Sequence, residues 1–230
     1  MTRPRLLDLF CGAGGAGMGY ARAGWDVTGV DILPQPEYPL PFIRADALAY
    51  AREHGHEYDA IHASPPCQPF TRAVHLMRAQ GGKTSEPDLL DPTRDVLEVI
   101  GRPWIIENVV GAPLRSPLML CGSMFGLKVR RHRLFESSAP LLAPGRCRHK
   151  EQGKPVGLYG SMGDTVQGID RTTGKRVVGG STASTIEEAQ DAIGIDWARR
   201  WGSLKLAIPP AYTAWLGRQL LAAIAAGRAA

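Results

Sequence analysis

The sequence predicts an α/β fold with a Rossmann-like, mostly parallel sheet, to which a small irregular subdomain is added. Three observations predict this fold. Short apolar runs alternate with helix-like segments through residues 1–136, as is typical of βαβ units. A glycine-rich loop directly follows the first of these runs. In 137–184, Gly, Pro, Arg and Thr predominate and long apolar runs are absent, which indicates a segment with little core of its own.

The N-terminal elements follow the order strand, loop, helix, strand. Residues 6–10 form a short apolar run, and the glycines after it lead into a helix-permissive segment that Gly24 ends. The β-rich residues 25–32 predict a second strand with Asp31 at its carboxyl end. A later apolar run at 58–63 predicts a further strand of the same sheet.

The remaining elements are less regular. We expect a helix at 94–100, a buried strand at 104–106 and a loop at 109–120, which contains two prolines. Helical periodicity returns at 185–193. Pro210 begins a last helix that Gly227 ends. Its apolar side chains share one face: Tyr212, Trp215, Leu216, Leu220 and Ile224.

Composition excludes several protein classes. With 44% hydrophobic and 21% charged residues, the 230-residue chain is neither wholly disordered, nor a collagen-like fibre, nor a membrane bundle. The net charge is +5, and seven basic residues against one acidic residue lie between Lys128 and Lys150. Such clustering favours a phosphate-rich partner, although a solvated basic face fits as well. No segment approaches the ~18 apolar residues of a membrane span, so we expect a soluble protein. We further expect it to be cytoplasmic and a monomer.

The four cysteines stand singly along the chain, at Cys11, Cys67, Cys121 and Cys147. Without a Cys-x-x-Cys pair, neither a zinc ribbon nor a disulfide framework is indicated, and a reducing compartment fits best. Cys147 and His149 share one loop, but two ligands do not complete a tetrahedral set. No metal site is therefore expected from the sequence.

The glycine loop and Asp31 form the first candidate site. Gly12, Gly14 and Gly17 satisfy G-x-G-x-x-G after a predicted strand, and Asp31 follows Gly12 by 19 residues. Glycines let the backbone approach a ligand closely, and a carboxylate at the end of the second strand can accept both ribose hydroxyls. The pattern favours a nucleoside cofactor, either a dinucleotide or S-adenosylmethionine, over a purely structural turn.

Cys67 is the second candidate. Three prolines flank it at the carboxyl end of the predicted strand 58–63, where ligand sites in open α/β sheets gather. Proline stiffness would fix the thiol in one orientation, and a nearby cation would lower its pKa enough to make a nucleophile. Without such surroundings, a lone cysteine is more often a small, buried hydrophobic residue.

Glu107 and an arginine pair complete the set. Glu107 directly follows the predicted strand 104–106 at the same sheet edge, where a semi-buried carboxyl can keep its proton. Arg131 and Arg133 offer fixed forks for a carbonyl, a phosphate or a carboxylate. Taken singly, Glu107 could be a helix-entry acid and the arginines surface charges.

In this order, the segments resemble those of the DNA cytosine-5 methyltransferases. The matching segments are Asp8-Leu-Phe-Cys-Gly-Ala-Gly-Gly, Pro66-Cys67-Gln68, Glu107-Asn108-Val109 and Arg131-x-Arg133. The resemblance covers 5–135 well and resumes more weakly at 185–197 and 205–220. Two departures are evident, since Val129 stands where the family usually has Gln, and Lys205-Leu206 where it has Gly-Asn.

The resemblance implies S-adenosylmethionine as methyl donor. The cofactor residues it implies are Asp8, Phe10, Gly12, Gly14, Gly15, Asp31, Ile32, Asp46 and Leu206. For Asp46, a role as the N-cap of a helix at 47–53 is an equal alternative that can coexist. The change at Lys205 and Leu206 implies either a modified contact to the methionine part of the donor or an unusual donor.

The resemblance also implies the catalytic roles. Cys67 would add to C6 of cytosine, Glu107 would contact N3 and the exocyclic amine, and Arg133 would bind the O2 carbonyl. Arg131 would support the pocket electrostatically. The target base must leave the duplex, and the implied nucleic-acid contacts are Gln68, Arg72, Arg78 and Lys83, in or beside a loop at 71–90 expected to close over double-stranded DNA.

Three parts of the chain follow from this resemblance. We expect a catalytic and cofactor-binding domain at 1–136, a target-recognition subdomain at 137–184 and a C-terminal segment at 185–230 that packs back on the first. Two alternatives to a DNA methyltransferase, with or without a restriction-modification role, stay open. One is an RNA (tRNA) cytosine-5 methyltransferase, because the shared motifs cannot read a 2′-hydroxyl. The other is a nucleic-acid-binding homologue that has lost catalysis.

Overall fold

The computed structural model describes residues 2–67, 70, 87–169 and 176–229. Its centre is a seven-stranded sheet in the order β3-β2-β1-β4-β5-β7-β6. Strands β1 to β5 run parallel, and β7 runs antiparallel to both β5 and β6. The predicted Rossmann-like α/β fold with a mostly parallel sheet is therefore confirmed. The sheet strands are β1 Arg5–Leu9, β2 Asp26–Asp31, β3 Phe42–Arg44, β4 Ala60–Ala63, β5 Trp104–Val109, β6 Leu118–Leu120 and β7 Arg133–Ser137.

Helices cover both faces of this sheet. Leu7, Leu9 and Ile61 pack in one core with residues of α2 and α3, whereas Leu6 and Ile105 pack in another with residues of α1 and α6. All four residues of β4 are buried, as expected for a parallel strand covered on both sides. The helices described are α1 Gly15–Ala23, α2 Ala47–His54, α3 Leu90–Ile100, α4 Ile186–Ile193, α5 Trp201–Leu206 and α6 Pro210–Ala229, and short 3₁₀ turns lie at Gly55–Glu57 and Gly122–Phe125.

The C-terminal helix α6 packs directly on α1. The Thr213 hydroxyl donates to the Ala16 carbonyl at 2.8 Å, and the Trp25 indole donates to the Gly217 carbonyl at 3.1 Å. A Cβ on Gly19 would lie only 2.0 Å from the Thr213 hydroxyl oxygen, so this contact requires glycine. The helix continues to Ala229, beyond the end predicted at Gly227.

Three short strands were not expected from the sequence. β3 and β6 have only three residues each, too few for a period-two pattern, and β6 lies inside the segment 109–120 that was predicted as a loop. β7 forms a strand because it pairs with two antiparallel neighbours, more than because of the composition of its own residues. The prediction of a loop over 109–120 is therefore wrong for its last three residues, which form β6.

The irregular segment is mostly without regular structure where it is described. Thr165–Ile169 and Arg176–Ser181 form a separate antiparallel pair, β8 and β9, with an irregularity between Val166 and Gln167. The β-like piece expected at 156–159 makes only one isolated bridge, Gly157 to Thr182. The division of the chain into three domains stays a prediction. Among the described residues, no helix combines the length and apolar character needed to cross a membrane.

A buried ion pair fastens α3 to β7. Arg94 is 1% exposed and binds Glu136 through two hydrogen bonds, Nε to Oε1 at 2.7 Å and Nη2 to Oε2 at 2.9 Å. Glu136 also accepts from the Arg115 amide at 2.8 Å, and Arg94 contacts Asp91 as well. Burial raises the pKa of Glu136, but these hydrogen bonds outweigh burial and the net pKa lies below its ordinary value.

We expect Arg94→Met to destabilise the fold by about 3–5 kcal/mol, because it leaves the Glu136 carboxylate buried without its partner. The double variant Arg94→Met/Glu136→Leu should recover most of this loss, since neither charge then remains. Urea unfolding measures both values. A loss below about 1 kcal/mol in the single variant would contradict the assigned role.

The same pair predicts a dependence of stability on pH. Since the folded pKa of Glu136 is depressed, its contribution is fully present above the unfolded value of about 4.3 and is lost as pH falls through the folded pKa. Glu136→Gln should flatten the acid limb of unfolding free energy against pH. Glu98→Gln, which alters an exposed pair with Arg115, should leave that limb unchanged.

Candidate active site

The carboxyl ends of β1, β4 and β5 form one edge of the sheet, and three of the predicted site segments lie there. The glycine loop follows β1, Cys67 follows β4, and Glu107 lies near the end of β5. β1 and β4 are neighbours in the sheet although β2 and β3 separate them along the chain. Such a reversal of strand order opens a crevice in α/β sheets, and the fold therefore gathers these groups from distant parts of the chain.

The glycine loop has the backbone geometry that its sequence suggests. Gly14 adopts a left-handed conformation with φ of 83°, and its amide donates to the Cys11 carbonyl at 3.0 Å. A Cβ on Gly15 would lie 2.2 Å from the Ile208 carbonyl oxygen, so the C-terminal segment packs against the loop. Phe10 also has a positive φ, 56°, which a bulky residue rarely adopts without support from its surroundings.

Asp31 braces this loop from the end of β2. Its carboxylate accepts from the Gly12 amide at 3.1 Å and from the Leu33 amide at 2.9 Å. Each carboxylate oxygen has a further lone pair, so Asp31 can still accept from a ribose hydroxyl. The adjoining Ile32 side chain is 61% exposed, an apolar surface suited to the face of an adenine ring.

Asp8 lies beneath the loop and not on its surface. It is fully buried; its Oδ2 accepts from the Tyr38 hydroxyl at 3.1 Å, whereas its Oδ1 has no hydrogen-bond partner among the described residues. Burial raises the pKa of Asp8 to about 7, against the lowering effect of hydrogen bonds from Tyr38 and the Gly17 amide. Asp8 is therefore a polar group with spare bonding capacity directly under the candidate cofactor loop.

The two remaining predicted cofactor residues are differently placed. Asp46 caps helix α2, accepting from the Ala49 amide at 2.8 Å, so the alternative N-cap role is confirmed while cofactor binding stays a prediction. Leu206 ends α5 and is 71% exposed. Its neighbour Lys205 donates to the Gly160 carbonyl at 3.1 Å, which links this position to the irregular segment.

Glu107 and Arg133 form the polar centre at the end of β5. In the antiparallel register, Glu107 pairs with Phe135 and Val109 pairs with Arg133, which makes Glu107 and Arg133 diagonal neighbours on one face. Arg133 Nε lies 2.9 Å from Glu107 Oε1. Oε1 has no aligned hydrogen-bond donor, so the Arg133 Nε–H does not point at it. The contact is a close charge pair at a carboxylate oxygen that is itself buried.

A buried chain of polar groups leads from α1 to Glu107. The Tyr20 hydroxyl lies 3.1 Å from His62 Nδ1, and His62 Nε2 lies 2.9 Å from the Ser64 hydroxyl. Ser64 in turn lies next to Glu107. Burial lowers the pKa of His62 to about 3, so its imidazole is neutral. Burial also raises the pKa of Glu107, although Arg133 and Ser64 oppose this.

Asn108 is a further polar residue of this edge, for which the sequence suggested no role of its own. Its Nδ2 donates to the Pro65 carbonyl at 3.1 Å, and its Oδ1 accepts from the Val109 amide at 2.9 Å. Asn108 therefore ties the loop that carries Cys67 to the end of β5. Its place between Glu107 and Val109 in the matching segment was the available signal.

The C-terminal segment holds the Arg131 side chain. Its guanidinium donates to the carbonyl of Leu204 at 3.1 Å and to that of Lys205, the end of α5, and its own carbonyl accepts from the Tyr212 hydroxyl at 2.8 Å. Arg131 thus joins the pocket to the C-terminal segment. Burial, and next Arg133, lower the pKa of Arg131 to about 9, so it remains cationic at neutral pH.

Cys67 is partly buried within reach of these charges. Burial raises the pKa of its thiol; Arg133 and Arg131 lower it, and Glu107 raises it. The net pKa lies above the ordinary value, so the resting group is a thiol. Neutralising or engaging Glu107 would favour the thiolate.

A basic cavity opens beside this centre. It encloses about 450 Å³ and its lining includes Arg130, Arg131, Arg133 and Lys205 together with Tyr159 of the irregular segment. Four cationic side chains around one cavity suit a polyanionic ligand. The predicted nucleic-acid contacts Gln68, Arg72, Arg78 and Lys83, and the predicted closing loop as far as residue 86, lie outside the described residues.

The fold is that of cytosine-5 methyltransferase-like proteins. A prophage-encoded E. coli protein assigned as a DNA modification methyltransferase matches with a TM-score of 0.57 at 13% identity, covering 97% of this chain and 99% of its own. Spodoptera frugiperda DNMT2 matches with a TM-score of 0.62 at 15% identity, covering 95% and 99%. S. pombe Dnmt2 gives 0.58 at 14% identity, covering 97% and 99%. No protein-family model and no curated protein sequence matches the chain.

The charges around Cys67 predict its reactivity in the free protein. Alkylation of Cys67 by iodoacetamide should show a pH inflection above that of free cysteine, because its pKa is raised. Glu107→Gln should move the inflection down, since it removes a negative charge that opposes the thiolate, and Arg133→Gln should move it up. Peptide mass spectrometry isolates Cys67 from the other cysteines. An unchanged inflection in both variants, as in the Glu98→Gln control, would contradict this arrangement.

Proposed function

We propose that this protein transfers a methyl group from S-adenosylmethionine to C5 of cytosine in DNA, through a covalent Cys67 adduct on a flipped base. The observation that carries the proposal is the meeting of Cys67, Glu107 and Arg133 beside the glycine loop. These groups come from three separate segments of the chain. Their chemistry suits nucleophilic addition to an electron-poor ring.

The residues around the crevice fit the cofactor. Asp31 has acceptor capacity beside an exposed Ile32, and Gly15 of the loop packs closely against Ile208. Asp31 would bind the ribose, Ile32 would contact the adenine, and Phe10, Gly12, Gly14 and Gly15 would line the donor. Asp8 would act from beneath the loop, and Asp46 and Leu206 from its rim. When bound, S-adenosylmethionine supplies an electrophilic methyl group.

The protein groups divide the remaining work on the base. Cys67 loses its proton and its sulfur bonds to C6, so that the displaced electron pair makes C5 nucleophilic. The Glu107 carboxyl contacts N3 and the exocyclic amine, and its raised pKa favours carrying a proton to N3. Arg133 stabilises charge developing at O2. After C5 gains the methyl group, its proton passes to water and the N3 proton returns to Glu107, while Cys67 leaves as the thiolate and the ring is restored.

The substrate is proposed as DNA for two reasons. The basic cavity adjoining Arg131 and Arg133 offers phosphate contacts next to the base site. The prophage-encoded structural match is assigned to DNA modification. A base inside a duplex is inaccessible to Cys67, so the reaction requires extrusion of the cytosine.

Incubation with labelled S-adenosylmethionine should label cytosine C5 in duplex DNA and not in total tRNA. Equal or greater labelling of RNA would replace the DNA assignment, and no label on either would remove the proposal. Duplex DNA containing 5-fluorocytosine should trap a covalent protein–DNA adduct, because the fluorine cannot leave as the C5 proton does. A homologue without catalysis would bind DNA and form no adduct.

Cys67→Ala should lower transfer by roughly 10³-fold or more, as for other lost nucleophiles, while cofactor affinity changes little. Calorimetric titration with S-adenosylmethionine measures the second property. Glu98→Gln, an exposed carboxylate variant outside the site, serves as the control for both. Transfer that persists in Cys67→Ala would show that another group attacks the base.

A further inference from the structure

Four sulfur and nitrogen donors converge at one corner of the sheet. Cys121 follows β6, His132 precedes β7, and Cys147 and His149 lie in the irregular segment; their donor atoms all lie within 4.8 Å of one another. Cys121 Sγ is 3.2 Å from His149 Nε2, and Cys147 Sγ is 3.5 Å from His132 Nε2. The fold thus adds two donors to the pair in 147–149 that is insufficient alone.

These separations suit tetrahedral coordination. With Zn–S and Zn–N bonds of about 2.3 and 2.0–2.1 Å, neighbouring donors in a tetrahedral site lie roughly 3.3–3.8 Å apart. Both Cys–His distances are at or near this range, and the widest separation needs to close by only about 1 Å. The His132 and His149 rings meet edge to face, with centroids 5.1 Å apart and an angle of 74° between planes, so their Nε2 atoms can face a common point without stacking.

The donor set and its surroundings select zinc. Two thiolates and two imidazoles are soft and borderline ligands, and four protein donors leave no open position, as in structural zinc sites. Two thiolates balance the charge of a divalent ion, so the complex is neutral and is not opposed by the basic residues between Lys128 and Lys150. All four cysteines of the chain are free thiols.

A supporting hydrogen bond orients one donor. The Ser123 hydroxyl lies 3.1 Å from Cys121 Sγ and accepts from the Arg148 amide at 3.0 Å. It therefore connects the turn at Cys121 to the segment that carries Cys147 and His149. Such outer contacts commonly fix ligands in metal sites.

We propose that Cys121, His132, Cys147 and His149 bind one zinc ion in a closed, structural site. Binding releases the two thiol protons and forms four metal–ligand bonds. The ion fastens the irregular segment to the β6–β7 corner. It also fixes His132 between Arg131 and Arg133, where Arg131 has an unusual positive φ of 35°. The zinc site does not depend on the proposed methyl transfer.

Metal analysis of the protein purified without chelators tests the site. We expect about one zinc per chain, falling below about 0.2 in Cys147→Ser and in His149→Ala. Cys67→Ser and the exposed His56→Ala remove the same residue types elsewhere and should each keep one. Zinc retained by both cluster variants, or absent from the wild-type protein and not taken up on addition, would overturn the proposal.

A second measurement uses the wild-type chain and covers the case in which the variants do not fold. Removal of zinc should lower the melting temperature by roughly 5–10 °C, and added zinc should restore it. Cobalt in place of zinc should give the intense visible bands of tetrahedral thiolate coordination. A non-tetrahedral cobalt spectrum, or a Cys121–Cys147 disulfide in peptide maps, would overturn the site. Neither readout uses methyl transfer, so the two proposals can fail separately.

Discussion

The antiparallel pairing of β7 with β5 is the constraint on which the candidate site depends. A continued parallel order would bring another carboxyl end to this edge, whereas β7 presents its first residue there. That reversal sets Arg133 diagonal to Glu107. It also brings Arg131 and His132, which precede the strand, to the same corner. The Arg94–Glu136 pair then fastens the far end of β7 to α3. The strand is therefore anchored at one end and contributes Arg133 to the candidate site at the other.

The glycine loop and the Cys67–Glu107–Arg133 centre are joined through the C-terminal segment. Residue 208 packs on the glycine loop, while the carbonyls at the end of α5 bind Arg131. The Tyr212 hydroxyl binds the backbone of the same arginine. A shift of this segment would therefore displace both the glycine loop and the Arg131 side chain. Lys205 and Leu206, which depart from the pattern of the resembling family, lie in this segment between the glycine loop and Arg131.

Local pattern was enough for much of this architecture. The G-x-G-x-x-G loop, the Asp31 spacing and the proline-flanked Cys67 depend on short stretches of chain, and each lies at the predicted sheet edge. The short β3 and β6 were not predictable, because three residues carry no period and their partners are remote. The partners of Arg131 lie over 70 residues away.

The four-donor cluster illustrates the same limit. Its residues span positions 121 to 149 without the regular spacing of a zinc motif, so only the fold could reveal them together. By contrast, the Asp46 N-cap was predictable because the cap and the amide it accepts from lie three residues apart. Sequence reasoning succeeds here where a contact is local and fails where tertiary pairing decides it.

The packing of α6 on α1 also sets the order in which the chain can be completed during synthesis. The Trp25 indole bonds a carbonyl 192 residues later, and Thr213 covers the Ala16 carbonyl. The N-terminal strand–loop–helix unit therefore leaves the ribosome long before the helix that covers it. Its apolar face lacks this cover until residues 210–229 have been synthesised, and contacts between such distant segments form slowly. A nascent chain of this fold thus depends on its last helix to shield its first.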